Sequence, residues 1–217
     1  MFMDILPESN PLHTQPDLQN DFYIGNLLPD SVGDKNASHF RDPKYLDRMV
    51  IWPRPEEFRR KYHGHMKDVV YFGYYFHLYI DRSFFSKYLP RVIEFLDARG
   101  EPTEIRQDVR SVLLKKSEQR ITLEQYLSEN YYYGDYTKMN TWLCKRYNLP
   151  VHLHVCRDPG IEEADFSHMD QILDELKSYR KVSAEAVHDV KVFDVGDLLD
   201  FLKQASRAAE QYYASFI

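Results

Sequence analysis

The rhythm of apolar positions changes along the chain, and the changes mark out the elements. In VVYFGYYFHLYIDRSFFSKYLP, residues 69–90, most side chains are aromatic or aliphatic. This predicts a long buried helix over about 67–88, broken or kinked at Pro90 and resumed through RVIEFLDARG to Gly100. Upstream, Phe22, Tyr23, Leu27 and Leu28 have helical spacing and predict a helix over 17–28; Pro29 stops it and leaves Asp30 just beyond its end. A short helix is predicted to begin near Pro55, where Glu56 and Glu57 suit the positive end of the dipole, and to finish by Gly64. Further helices are predicted at 122–130, 135–148, 166–181 and 194–216. Thr122 and Gln125 have capping-box spacing, and Asp194 suits an N-cap.

Between these runs the pattern breaks. Residues 1–18 carry Pro7, Pro11 and Pro16 and read as an irregular arm. Residues 30–55 are rich in turn formers and read as a long loop with a short element around 45–51; a loop of that length in a compact domain points to function or to disorder. VHLHV, 151–155, alternates as a short strand would, although no partner run is evident. There is no internal repeat. The sum is an all-α, single-domain helical bundle over 1–217, closed by the helices of 150–217.

Composition supports that class: 17 Tyr and 13 Phe supply core volume, while 8 Gly argue against a turn-rich β protein. A net charge of −6 gives no general attraction to polyphosphate, so nucleic-acid binding is not expected. Two cysteines, Cys144 and Cys156, are too few for a disulfide framework and suit a reducing compartment. MFMDILPES lacks the basic-then-apolar pattern of an export signal, and no window reaches the roughly 18 apolar residues of a membrane span, so a cytoplasmic protein with no transmembrane segment is expected.

The chemistry concentrates in the apolar run. On a helix Gly73, His77, Asp81, Phe84 and Tyr88 share one stripe, so His77 and Asp81 point the same way. Such a pair can present imidazole and carboxylate to one divalent cation. It can equally satisfy itself, or neighbouring tyrosines, inside a bundle. Gly73, one turn earlier, leaves room for another segment or a ligand. The HxxxD spacing recurs at His13–Asp17 and His154–Asp158, but only the middle copy lies in a strongly periodic helix. Asp30 and His39 flank a loop and His13 lies in the arm, and segments of this kind can fold over a helical scaffold to complete a site. His63 and His65 read as a solvated turn. His152 and His154 would share a strand face with nothing to complete a site, and His188-Asp189 comes too late for the ligand order of HD phosphohydrolases. Tyr131, Tyr132 and Tyr133 suit stacking on a base or a choline-like group as well as packing. The absence of GxxxxGK[ST], GxGxxG and GxSxG removes the common nucleotide-binding and serine-hydrolase readings.

Three motifs taken together, FYIGNLLPDSV, KNASHFR and VVYFGYYFHLYID, resemble the zinc-dependent phospholipase C family in its broad sense, including its small bacterial members. The resemblance covers about 11–90, with a weaker echo in YYYGDYTKMNTWLCKRYNL, 131–149. It implies a helical bundle of the phospholipase C/P1 nuclease kind, with its metal-site half at 11–90. By motif it implies that His39, His77 and Asp81 bind one metal, zinc or a similar divalent ion. Asp30 would be a ligand or the general base, and His13 would serve a second metal through a shared Asp81. The HxxxE pair of the longer secreted members is absent here, which leaves one or two ions. The expected activity is hydrolysis of a small phosphorylated substrate, with Arg41 or Arg82 available for the phosphate. The competing expectation is a non-catalytic helical protein, with a structural metal or a metal-free polar seam, that binds a partner through its tyrosine-rich surface.

Overall fold

The structure, a computed structural model, describes residues 1–150, 152–155, 157–178 and 182–213. Its first residues form two one-turn helices, α1 (Phe2–Ile5) and α2 (Pro11–Thr14), in place of the irregular arm that the prolines predict. Pro11 and Pro16 open α2 and α3 (Pro16–Leu27), at positions where the missing N–H would have had no helical partner. The loop that follows holds a 3-10 turn at Leu28–Asp30, α4 (Lys35–Ser38) and a second 3-10 turn at Pro43–Tyr45. Then come α5 (Pro55–Lys61) and α6 (Val69–Ser83), both as the apolar spacing predicts.

Beyond α6 the helix does not break at Pro90. It widens into a π turn over Phe84–Tyr88, where the Leu89 N–H donates to the carbonyl of Phe84, and continues as α7 (Leu89–Val92). Proline cannot donate to the carbonyl four residues back and its ring crowds that carbonyl; the wider turn just before it relieves the crowding.

The predicted helix through RVIEFLDARG is absent. Ile93–Leu96 is instead strand β1, paired antiparallel with β2 (Ser111–Leu114), which pairs antiparallel with β3 (Gln119–Thr122). The all-α expectation therefore gives way to a mostly helical fold with one small sheet. The register opposes Ile93 to Leu114 and Val112 to Ile121, and these four side chains are buried together against Tyr126, Met139 and Phe193. That packing decides for strand over helix. The Thr122–Gln125 capping box forms as expected, yet α8 (Leu123–Tyr126) lasts one turn, because the Ser128 hydroxyl takes the Gln125 carbonyl at 2.7 Å.

Three longer helices complete the chain: α9 (Tyr132–Arg146), α10 (Met169–Ser178) and α11 (Val195–Tyr213). Asp194 caps α11, accepting from the N–H groups of Gly196 and Asp197 at 2.9 and 3.1 Å. Residues 152–155 form no strand; the Asn20 amide holds the His154 backbone with two 2.8 Å bonds. Cys144 is buried, whereas Val151, Cys156 and the predicted helix ends at 179–181 and 214–216 lie outside the described residues.

Buried side chains gather in two clusters. One surrounds Phe22, Phe58, Phe72 and Leu78, the other Tyr88, Val112, Phe193 and Phe201. The α6–α7 rod runs through both, and α11 gives Phe201 to one and Tyr213 to the other. No helix is long and apolar enough to cross a membrane among the described residues. The closest helix contact is α3 on α6. A Cβ at Gly73 would stand 2.4 Å from the Phe22 carbonyl oxygen, and one at Gly25 would stand 2.1 Å from that of Val70. The room beside Gly73 is thus filled by α3, and only glycine permits so close an approach.

Candidate metal centre

That helix crossing fixes the first ligand. With α3 against Gly73, the Asn26 carbonyl lies 2.8 Å from Nδ1 of His77. A carbonyl only accepts, so Nδ1 carries the proton, and Nε2 of neutral His77 presents a lone pair to the cavity. The second imidazole comes from the loop. His39 is fully buried, its Nδ1 is 2.9 Å from the Ser38 hydroxyl, and the Ser38 carbonyl accepts from Tyr74 on α6 at 2.7 Å. The Tyr74 ring is stacked on Phe58 with centroids 4.5 Å apart. After His39 the chain turns through Phe40 at φ +52°, in the left-handed region, pinned by the Arg54 guanidinium on the Phe40 carbonyl at 2.8 Å. Non-glycine residues take this conformation at a cost that the surrounding bonds must offset, and such positions concentrate at functional sites.

These supports bring Nε2 of His39 and Nε2 of His77 to 3.3 Å. Asp81 Oδ2 lies 3.5 Å from the His77 nitrogen and 3.6 Å from that of His39, and Asp30 Oδ1 lies 3.9 Å from His39. Ligands about 2.0–2.1 Å from a tetrahedral zinc are separated by about 3.3–3.4 Å, close to the first three of these distances. Asp30, His39 and His77 form a group able to hold a metal ion, their ligand atoms all within 4.8 Å of one another. Asp81, one helical turn after His77, is not part of that group of three but keeps an oxygen close to both imidazole nitrogens.

The electrostatics agree with a cation-seeking pocket. Burial alone lowers the pKa of His77, but the neighbouring carboxylates of Asp81 and Asp30 outweigh it and raise the pKa to about 9. Burial lowers that of His39. Burial likewise opposes ionisation of Asp81, yet the two imidazoles prevail and hold it well below the usual carboxylate range. Two lone pairs cannot face each other at 3.3 Å unopposed, so either a proton or a metal must lie between the imidazoles. In the metal-free protein the raised pKa of His77 favours its ring as the holder of that proton.

The centre opens into a cavity of about 400 Å3, lined among others by Lys35, Arg41, Phe84, Phe85, Tyr132 and Tyr133. Lys35 pairs with Asp30 at 2.7 Å. Arg41 donates from Nη1 to the Asn36 side chain at 3.3 Å, while its buried Nε has no acceptor. Burial pulls its pKa down. A buried donor left without a partner costs about 1–3 kcal/mol.

Of the sequence-predicted residues, the fold gathers Asp30, His39, His77 and Asp81 and leaves His13 out. His13 lies exposed on α2 and donates from Nε2 to the Met3 carbonyl at 2.9 Å, so the second metal through a shared Asp81 is not built among the described residues. Arg41 faces the cavity, whereas Arg82 bonds Glu56 at 2.6 Å and does not line it. His63 and His65 sit in an exposed 3-10 turn, as the sequence suggests. Asn26, Ser38 and Tyr74 escape sequence reasoning because their parts are played by a carbonyl, a hydroxyl and a long-range bond. Only the adjacency of Asn26 to Gly25, and of Ser38 to His39, could have flagged the first two. No family model, no curated protein and no solved structure matches the chain.

Proposed function

We propose that the chain is a metal-dependent hydrolase of phosphoesters, with zinc or a similar transition ion held by His39, His77 and Asp81 and with Asp30 beside it as the general base, as the resemblance to the phospholipase C family implies. The observation that carries the reading is the 3.3 Å approach of two imidazole Nε2 atoms, each with its other nitrogen tied back, beside a carboxylate oxygen at 3.5 and 3.6 Å. A divalent metal bound there supplies Lewis acidity, polarising a phosphoryl oxygen and bringing water into its reactive range near neutral pH. The chain's own groups do the rest. Arg41 and Lys35 line the same cavity and offer N–H donors to the phosphate, and Asp30, half-exposed beside them, is placed to accept the proton of the attacking water. Phe84, Phe85 and Leu143 exclude bulk water from one side, which strengthens these contacts.

One observation favours the non-catalytic alternative: Lys35 already neutralises Asp30 at 2.7 Å, as in a metal-free polar seam. Elemental analysis of protein purified without added metal separates the two, repeated on His77→Ala and Asp81→Ala. About one equivalent of metal in the wild type, lost in both variants, supports the hydrolase; no metal before or after addition of zinc or manganese sinks it. A panel of phosphomonoesters and phosphodiesters then reads activity, and a metal-loaded protein inert to all of them points to a structural ion.

A further inference from the structure

Resting on the phosphoesterase reading, the walls of the metal cavity point to the shape of the substrate. Three of its side chains, Ile80 of α6, Leu143 of α9 and Leu202 of α11, also line a second cavity of about 310 Å3. The rest of that chamber is almost wholly carbon, with Phe22, Leu27, Phe76, Leu149, Leu153 and Leu176 among its walls. Asn26, whose carbonyl orients His77, borders it as well. The chamber therefore begins where the metal centre ends, behind a partition of three aliphatic side chains that are only partly buried. The metal cavity also shares Lys35 and Arg41 with a polar cavity of about 520 Å3 that collects Arg48, Arg106 and Asp34, Arg48 being paired with Glu104. The metal cavity therefore adjoins one neighbour with a cationic excess and another of hydrocarbon.

We propose that the substrate is a single-chain amphiphile, a phosphate or diphosphate ester of a long-chain apolar alcohol. Its phosphorus sits at the metal centre, its remaining anionic oxygens face Arg41 and Lys35, and its chain lies in the apolar chamber. Hydrolysis forms one P–O bond from water and breaks the ester P–O bond. The proton that Asp30 takes from water goes to the departing alkoxide, and the products are the alcohol and free phosphate or diphosphate. A chamber of about 310 Å3 is at the small end of ligand sites and takes one slender chain, which argues against a two-chain lipid held in a bilayer. A chain that passed from the centre to the chamber would displace the Ile80, Leu143 and Leu202 side chains, which line both.

The test uses n-alkylphosphonates, which cannot be hydrolysed, with chains of two to twelve carbons, below their micellar concentrations. Their affinity for the zinc-loaded full chain is read by calorimetry. Burial of each methylene is expected to tighten binding about fourfold until the chamber is full. Leu153→Trp, in a segment outside any helix, is expected to abolish the gain while leaving ethylphosphonate binding unchanged, with its fold checked by its melting curve. Leu143→Ala, which thins the partition, is a second variant and is expected to keep or enlarge the gain. Equal affinity from two to twelve carbons, with all binding dependent on zinc, overturns the chain site and spares the metal centre. A chain-length gain that survives in folded Leu153→Trp overturns it too. If ethylphosphonate ignores zinc, and long chains bind His77→Ala as well as wild type, the phosphoesterase reading fails and the chamber loses its assignment to a substrate.

Discussion

Replacing Gly73 by alanine should disable the candidate centre without touching a ligand. The new methyl group would stand 2.4 Å from the Phe22 carbonyl oxygen and 3.1 Å from the Asn26 nitrogen and the Gly25 Cα. Ordinary carbon–oxygen contact begins near 3.4 Å, so α3 must withdraw by about 1 Å, and backbone on backbone offers no rotamer to absorb the strain. The Asn26 carbonyl is on the retreating helix, so its 2.8 Å bond to His77 stretches beyond useful range. Overpacking of this kind costs about 1–3 kcal/mol and the lost bond about 1 kcal/mol. The expected sum of about 2–4 kcal/mol lowers the melting temperature by about 5–15 °C in a chain of this size. The imidazole then loses the partner that fixes its tautomer, and metal affinity should fall about 10- to 100-fold. Gly33→Ala is the control, since a Cβ there meets nothing within 4 Å. Thermal unfolding and zinc titration of both variants decide the matter. A Gly73→Ala protein that melts within 1–2 °C of wild type and binds zinc as tightly would refute the coupling of the helix crossing to the site.

Three further outcomes follow from the same geometry. His77 has its folded pKa raised to about 9 from an ordinary 6.5, so the stabilisation it gives the metal-free protein is fully present below pH 6.5 and is lost as pH rises to about 9. The whole loss is about 3 kcal/mol, and denaturant titrations across that window should show it in wild type and not in His77→Gln. The same proton must leave when a metal binds, so calorimetry at pH 7 in buffers of different ionisation enthalpy should find about one proton released per zinc; no release would place the ion elsewhere. Asp135 is fully buried, accepting the Lys191 and Val192 N–H groups on Oδ2 at 2.7 and 2.6 Å while Oδ1 accepts no hydrogen bond and has only the Lys138 ammonium at 3.8 Å, and burial raises its pKa. An acid shifted upward stabilises the fold below its unfolded pKa and loses that contribution as pH rises through the folded value. Asp135→Asn should therefore be near-neutral or mildly stabilising at pH 7, whereas Asp135→Ala strands both donors and should cost about 2–4 kcal/mol in chemical denaturation.

Helices with a strong apolar period were legible in the sequence because burial of one face is a local pattern. Thus α3, α5, α6, α9 and α11 lie close to their predicted spans. The sheet was not legible. Its strands are four residues each, too short to display a period, and the β2–β3 turn runs through KKSE with none of the Asn-Gly or Asp-Gly pairs that announce a hairpin. Glu118 adopts φ +56° there, a conformation that sequence reasoning assigns to glycine. The one-turn helices at the start were hidden by their own prolines, which serve as first helical residues and not as breakers.

The site was legible as residue types and illegible as geometry, and the geometry is what bears on the choice between a polar seam and a metal pocket. If His77 and Asp81 existed to satisfy each other, their ion-paired atoms would close to the 2.7–2.9 Å of a charge-assisted hydrogen bond. They stand at 3.5 Å, and Asp81 keeps almost the same distance, 3.6 Å, from His39. The short contacts are made by the other ring nitrogens, to the Asn26 carbonyl at 2.8 Å and the Ser38 hydroxyl at 2.9 Å. The shortest bonds of both rings are thus made outward, and the inward atoms stand 3.3–3.6 Å apart, close to the separation of ligands around one ion. A seam has no reason to be built this way, because pulling charged groups apart in a half-buried pocket forfeits attraction that nothing else returns. The spacing therefore favours a cation between these groups, and the competing ion pair from Lys35 to Asp30 marks the carboxylate that a bound water would have to recruit.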